Sequence, residues 1–178
     1  MGPLTLSSDS PAATRRIGAR LARRLRPGDV VLLLGELGAG KTCFTQGIGR
    51  GLEVTDQVKS SSFVLLNEYE GPLRLYHADL YRLEDPREVM DLALEETAAD
   101  GVLAVEWPER AWAELPPEHL LVRLEWANEH RRRRLTFEAH GKRYEELLRG
   151  LSPRARRPRA GAARGSIGPG TERTNRAP

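Results

Sequence analysis

The sequence predicts an α/β fold: a single three-layer domain with a mixed, mostly parallel sheet plus an antiparallel strand pair, followed by a disordered C-terminal tail. Three observations predict it. A phosphate-loop motif sits between an apolar run and a helical segment, short apolar runs alternate with helical periodicity along residues 1–151, and the composition changes abruptly after residue 151. The motif is Gly35-Glu36-Leu37-Gly38-Ala39-Gly40-Lys41-Thr42, which matches G-x-x-x-x-G-K-[ST] at every fixed position. Asp29 to Leu34 ahead of it has the length and apolar content of a buried strand. Thr42 to Gly51 behind it carries Phe44 and Ile48 at helical spacing. That is the strand, loop and helix context of a P-loop NTPase.

Each residue type in the motif has a physical reason. Gly35, Gly38 and Gly40 permit backbone angles and approaches that a side chain forbids, so successive amide N–H groups point inward at phosphate oxygens. The helix that follows adds its N-terminal dipole. Lys41 is one of three lysines beside 25 arginines, so a basic residue drawn at random here would have been arginine. The loop needs a compact ammonium that reaches between phosphates as a point charge. Thr42 is expected to place its hydroxyl on Mg²⁺. Glu36, Leu37 and Ala39 within the loop, and Cys43 on the first turn behind it, complete the expected nucleotide-binding stretch.

Around this anchor the elements follow in order. Leu4 to Leu6 reads as a short edge strand. Ser10-Pro11 reads as the cap and first turn of a helix to about Leu25, with Ile17, Leu21 and Leu25 on one face and Pro27-Gly28 as its break. Phe63 to Tyr69 and Leu73 to Asp79, joined by Glu70-Gly71-Pro72, read as an antiparallel pair. Asp85-Pro86 opens a helix to about Leu94. Val102 to Val105 is a buried strand, Leu120 to Trp126 and Leu135 to Ala139 are strands around an arginine-rich loop, and Lys142 to about Leu148 is a short helix.

Two acids stand out by position. Glu106 follows an apolar strand directly, where P-loop NTPases place the carboxylate that holds Mg²⁺ or its waters opposite the loop hydroxyl. A strand-end acid also serves simple solvation, but the established loop favours the metal role. Asp79 ends another strand two residues after His77, so both fall on one face if the strand persists that far. It either binds a magnesium water, orients the attacking water, or caps the turn into Leu80-Tyr81-Arg82.

Composition bounds the rest. The chain has 178 residues, 39% of them hydrophobic, and its formal net charge is +3. That supports one domain with a real core, and no apolar run approaches membrane-spanning length. With no basic leader ahead of an apolar stretch and Cys43 as the sole cysteine, a cytoplasmic protein is expected. Residues 152–178 hold seven arginines against Glu172 alone, a net of +6, which leaves residues 1–151 at −3. The domain expected over 1–151 is thus mildly acidic. The tail of 152–178 is rich in Pro, Gly, Ala and Arg, and reads as disordered. It is either a solvated appendage or an electrostatic contact to RNA or an acidic partner.

Beyond the loop, the chain carries Phe63 with Asn67-Glu68-Tyr69, then His77-Ala-Asp-Leu-Tyr-Arg-Leu83, then Val105-Glu-Trp-Pro-Glu-Arg110. In this order and spacing these motifs resemble the TsaE (YjeE) family, small bacterial ATPases required for the threonylcarbamoyladenosine (t6A) modification of tRNA. The resemblance covers about residues 4 to 145. It implies ATP and Mg²⁺ as cofactors, Thr42 and Glu106 as magnesium ligands, Lys41 and its glycines as the phosphate cradle, and Asp79 and Trp107 as residues needed for turnover. It also implies that Arg133, the basic residue before the last strand, lies close to the nucleotide. One departure stands out: where the family usually reads Ser-Pro-Thr-Phe, this chain has Ser60-Ser61-Ser62-Phe63.

The resemblance implies further that the transfer of the threonylcarbamoyl group belongs to TsaD with its partner TsaB. The ATPase binds that pair and resets it between cycles, so tRNA is met indirectly through it. Turnover alone is expected to be slow, because no arginine obviously flanks Asp79 or Glu106. Arg110 and the run Arg131 to Arg134 are candidates in cis, a solvated loop being the other reading of that run. Two other classes stay open at this stage: a small-molecule kinase, and a nucleotide-gated binding module whose hydrolysis is incidental.

Overall fold

The computed structural model describes residues 2–59, 65–127 and 132–151. The chain folds as β1 (Leu4–Ser8), α1 (Pro11–Ala22), β2 (Val30–Leu34), α2 (Lys41–Leu52), β3 (Leu66–Tyr69), β4 (Leu75–Asp79), α3 (Glu88–Asp91), α4 (Leu94–Thr97), β5 (Val102–Glu106), β6 (His119–Ala127), β7 (Arg132–His140) and α5 (Lys142–Leu151). Seven strands form one sheet in the order β1-β7-β6-β2-β5-β4-β3. The four central strands β6, β2, β5 and β4 are parallel, and antiparallel pairings close both edges, β3 on β4 at one side and β6-β7-β1 at the other.

Alternation along the buried central strand builds the three layers. Val31 and Leu33 of β2 face one side, where they join Leu21 of α1, Phe44 and Ile48 of α2 and Leu147, Leu148 and Leu151 of α5. Val30 and Leu32 face the other, against Leu80, Leu83, Val89, Leu94 and Leu115. The first layer is made of long helices and the second of turns and short helical pieces. α1 lies directly on α2 because both present glycine at the crossing: a Cβ on Gly47 would sit 2.3 Å from the Arg15 carbonyl oxygen, and one on Gly18 2.5 Å from that of Phe44.

The expected elements are all present among the described residues, with shifted ends. Ser10 caps α1 as expected, its Oγ accepting from the Ala13 amide at 3.2 Å, but the helix stops at Ala22 rather than Leu25. The helix expected from Asp85 to Leu94 is broken in two, because Ala93 adopts a left-handed conformation (φ 41°) between α3 and α4. α5 runs on to Leu151, which is buried at 2% exposure and closes the core. Ser60 to Phe63, Arg131 and the tail lie outside the described residues. Among the described residues, no helix is long and apolar enough to cross a membrane.

Candidate nucleotide-binding site

β2 is flanked by two parallel neighbours, so the loop that leaves it at Gly35 emerges at the carboxyl edge of the sheet's centre, where α/β folds open their clefts. Gly38 (φ 80°) and Gly40 (φ 107°) hold left-handed conformations that turn the loop into α2. Arg133 braces the loop from outside. Its Nε donates to the Ala39 carbonyl at 2.8 Å, and its guanidinium lies 4.3 Å from the centroid of the Trp126 ring.

Lys41 is drawn back into this loop. Its Nζ donates to the carbonyls of Gly35 at 2.6 Å and Glu36 at 3.0 Å, and it sits 3.4 Å from the centroid of the Trp107 ring. Burial pushes the ammonium below its usual pKa, against the opposing pull of the Glu106, Glu109 and Asp79 carboxylates. Trp107 reaches that position only through a left-handed backbone (φ 60°), a conformation that costs a bulky residue about 1–3 kcal/mol. Its ring packs at 4.8 Å on that of Tyr81. The strained turn after β5 thus places an aromatic face over the loop's only lysine.

Glu106 is not a solvated strand end. It is 2% exposed and accepts three hydrogen bonds: from Thr42 Oγ1 at 2.9 Å, from Thr45 Oγ1 at 3.1 Å, and one shared with His77 Nε2 at 2.9 Å. Facing a carboxylate, His77 donates from Nε2, and its buried Nδ1 has no hydrogen-bond partner among the described residues. His77 and Thr45 were not among the site residues expected from sequence. Their signal is register. β4 pairs with β5 in parallel, setting Asp79 beside Glu106 with His77 two residues back on the same face, and Thr45 lies one helical turn beyond Thr42 on α2.

Asp79 takes the last of its expected readings, the cap. Its Oδ1 accepts from the Tyr81 amide at 3.2 Å, capping the turn, and the residue also lines the cleft. The cleft, of about 260 Å³, is bounded by Gly38, Lys41, Thr42, Asp79, Glu106 and Trp107 among others, with Leu37 and Tyr81 at its rim. Cys43 lies on its wall, half-buried, with Sγ 3.7 Å from Arg15 Nη1. Arg110 is exposed on the turn Pro108–Arg110 and is not among the lining residues.

The donor set suits Mg²⁺. A hydroxyl and a carboxylate are hard oxygen ligands, and a magnesium ion held by so few protein groups takes the rest from phosphate and water. Lys41, the left-handed glycines and the amino end of α2 form a cradle whose chemistry is that of phosphate binding.

Comparison with known proteins bears directly on this arrangement. Residues 8–135 match the family model described as threonylcarbamoyl adenosine biosynthesis protein TsaE. The tRNA threonylcarbamoyladenosine biosynthesis protein TsaE of Bacillus subtilis is 43% identical over 145 residues, covering 80% of this chain and 90% of that protein. The protein of the same name from Streptomyces coelicolor is 44% identical over 118 residues, 64% of this chain and 79% of that one. The crystal structure of Bacillus subtilis YdiB superposes with a TM-score of 0.72 at 38% identity, over 84% of this chain and 94% of that one. With the loop, the helix and the enclosed strand-end glutamate in place, the chain belongs to the TsaE family.

Proposed function

We propose that this chain is a cytoplasmic, Mg²⁺-dependent ATPase that serves the t6A modification of tRNA by acting on the TsaD–TsaB pair, which it resets between cycles. The observation that carries the reading is the junction of Thr42 and Glu106 at 2.9 Å beside a lysine held inside a glycine loop. Bound Mg²⁺, held by Thr42 and Glu106, would neutralise charge on the β and γ phosphates. Lys41 leaves the Gly35 and Glu36 carbonyls and moves to the phosphates. Asp79, one strand from Glu106, orients the water that attacks the γ phosphorus, and the bond from that phosphorus to the bridging oxygen breaks. Trp107 shields this chemistry from bulk solvent.

Among the described residues lining the cleft, Lys41 is the only cation. An arginine supplied to such a site raises phosphoryl transfer about 10³- to 10⁵-fold, so the isolated chain should turn over slowly and the partner pair should stimulate it. The test is incubation with γ-labelled ATP, with and without TsaD and TsaB. Free phosphate and stimulation by the pair are expected. A labelled small-molecule acceptor would identify a kinase and overturn the reading.

Two expected results follow from the site's surroundings. Alkylation of Cys43 should slow turnover, and Mg-ATP should protect the thiol, because Cys43 shares the cleft wall with Thr42. Equal modification rates with and without nucleotide, read by mass spectrometry, would place the thiol outside the nucleotide's reach. The tail of 152–178, by contrast, follows Leu151, the last described residue of the core. Truncation after Leu151 should leave ATP binding unchanged, and any loss of partner-stimulated turnover should vanish at high salt, where charges acting through water are screened. A loss that persists at high salt would mean that the tail docks specifically. The cut must spare Leu151 itself, which is buried and whose carbonyl accepts from Arg20.

A further inference from the structure

The mildly acidic charge of residues 1–151 conceals a separation of charge across the sheet. From Ser10 to Gly28 the chain has six arginines, at 15, 16, 20, 23, 24 and 26, and no acid. All but Arg15 are exposed. At the helical angle of about 100° per residue, Arg16 and Arg20 of α1 and its C-cap Arg23 fall within one sector about 60° wide, the sector turned away from α2 and the sheet, and the exposed Arg24 follows in the turn beyond. On the opposite face of the sheet, residues 84 to 100 carry seven acids against Arg87 alone.

The basic layer is not spent on internal ion pairs. Among the described residues, the side chains of Arg16, Arg23 and Arg26 make no hydrogen bond or ion pair within the fold. Arg20 gives a 3.4 Å bond to the Leu151 carbonyl, and Arg24 lies beside Gly150. The acids at the margin are Asp9 ahead of α1, Glu145 and Glu146 on α5, and Asp29. Glu145 is paired with Arg149, and Asp29 with Arg143. Arg20 and Arg24 adjoin the end of α5, and seven further arginines follow Leu151 in the sequence.

We infer that the outer face of α1 is a docking surface for the phosphate backbone of RNA. Charge complementarity requires a polyanion, and two features favour RNA over an acidic protein. Protein interfaces are anchored by buried aromatic and large apolar side chains, and α1 exposes none: beside the arginines its exposed residues are Pro11 and Ala12. Among the described residues, the large exposed hydrophobics are Leu37, Tyr81, Met90 and Trp112, at the cleft rim or in the layer on the other side of the sheet. Guanidinium groups at one-turn spacing are suited to the paired oxygens of successive phosphates. Such contacts carry no base information, so the surface reads backbone rather than sequence. The inference stands apart from the nucleotide site and adds a direct RNA contact to the one made through the partner pair.

The experiment measures binding of a fluorescein-labelled unmodified tRNA transcript to the full chain by anisotropy, at several salt concentrations. The parent should bind with a Kd on the order of micromolar at low salt and weaken steeply as salt rises. Substituting Arg16→Gln, Arg20→Gln and Arg23→Gln together should weaken binding roughly tenfold or more, and should lower the slope of log K against log salt by about 2 to 3. The same three positions changed to Lys should keep most of the slope. The Arg16→Gln, Arg23→Gln pair, which removes no contact of the fold, should lower it by about 1 to 2. An unchanged Mg-ATP thermal shift in these variants separates this result from any failure of the nucleotide site. Tight RNA binding by the α1 variants, with loss only when the seven tail arginines become Gln, would overturn the proposal. So would a poly-glutamate peptide that competes as well as tRNA charge for charge, which would mark the face as one for acidic protein.

Discussion

Lys41→Ala should abolish ATP turnover and remove the thermal stabilisation expected from Mg-ATP, while the apo protein stays folded. The lysine is held by two loop carbonyls and the Trp107 ring, at a position 4% exposed. Those contacts are replaceable by water when the ammonium is gone, so the fold loses little. The phosphate site, however, loses the one cation among the described residues that line it. At nucleotide 100 times above Kd, the parent gains about 2.7 kcal/mol, roughly 5 to 10 °C for a domain of this size. The variant should show almost none of that shift in the same melt. Equal shifts in both proteins would mean that nucleotide binds elsewhere.

Glu106 is expected to behave differently, because its carboxylate has a structural duty beside its chemical one. It accepts from Thr42, Thr45 and His77 in a buried site. Glu106→Ala leaves those groups without a partner, at a cost of about 1–3 kcal/mol in the apo protein, and lowers Mg²⁺-dependent turnover by roughly 100-fold or more. Glu106→Gln retains the shape and an acceptor oxygen for His77 and Thr45. It should therefore recover most of the stability but not the turnover. Melts and initial rates over a magnesium titration separate the two effects. A Glu106→Gln variant with parental turnover and magnesium response would remove Glu106 from the metal role.

The parts of this site that a reader of the sequence finds are those with short-range causes. Lys41 and Thr42 are legible because the loop, its strand and its helix are contiguous, and Glu106 because an acid closes an apolar run. Thr45 and His77 are not legible as partners of Glu106, since the contact depends on the register in which β4 lies beside β5. The break at Ala93 is hidden for a different reason: no glycine or proline marks it, and Val89 and Leu94 on its two sides enter the same core cluster. Arg133 could be placed near the nucleotide by family likeness alone. That it braces the loop from outside, stacked on Trp126, follows only from the pairing of β6 with β7. Net charge misleads in the same way, because the basic and acidic segments sum to a small number until the sheet sets them on opposite faces.

The central claim is that ATP hydrolysis at Lys41, Thr42 and Glu106 sustains t6A modification. The most direct measurement is a nucleoside analysis of tRNA from a strain depleted of this protein and complemented with either the parent or Glu106→Gln, after the variant has been shown to bind ATP. Depletion should lower t6A, the parent should restore it, and Glu106→Gln should not. Full t6A with the variant would contradict the account and leave a nucleotide-gated binding role in place of hydrolysis, and undiminished t6A on depletion would take the chain out of the modification altogether.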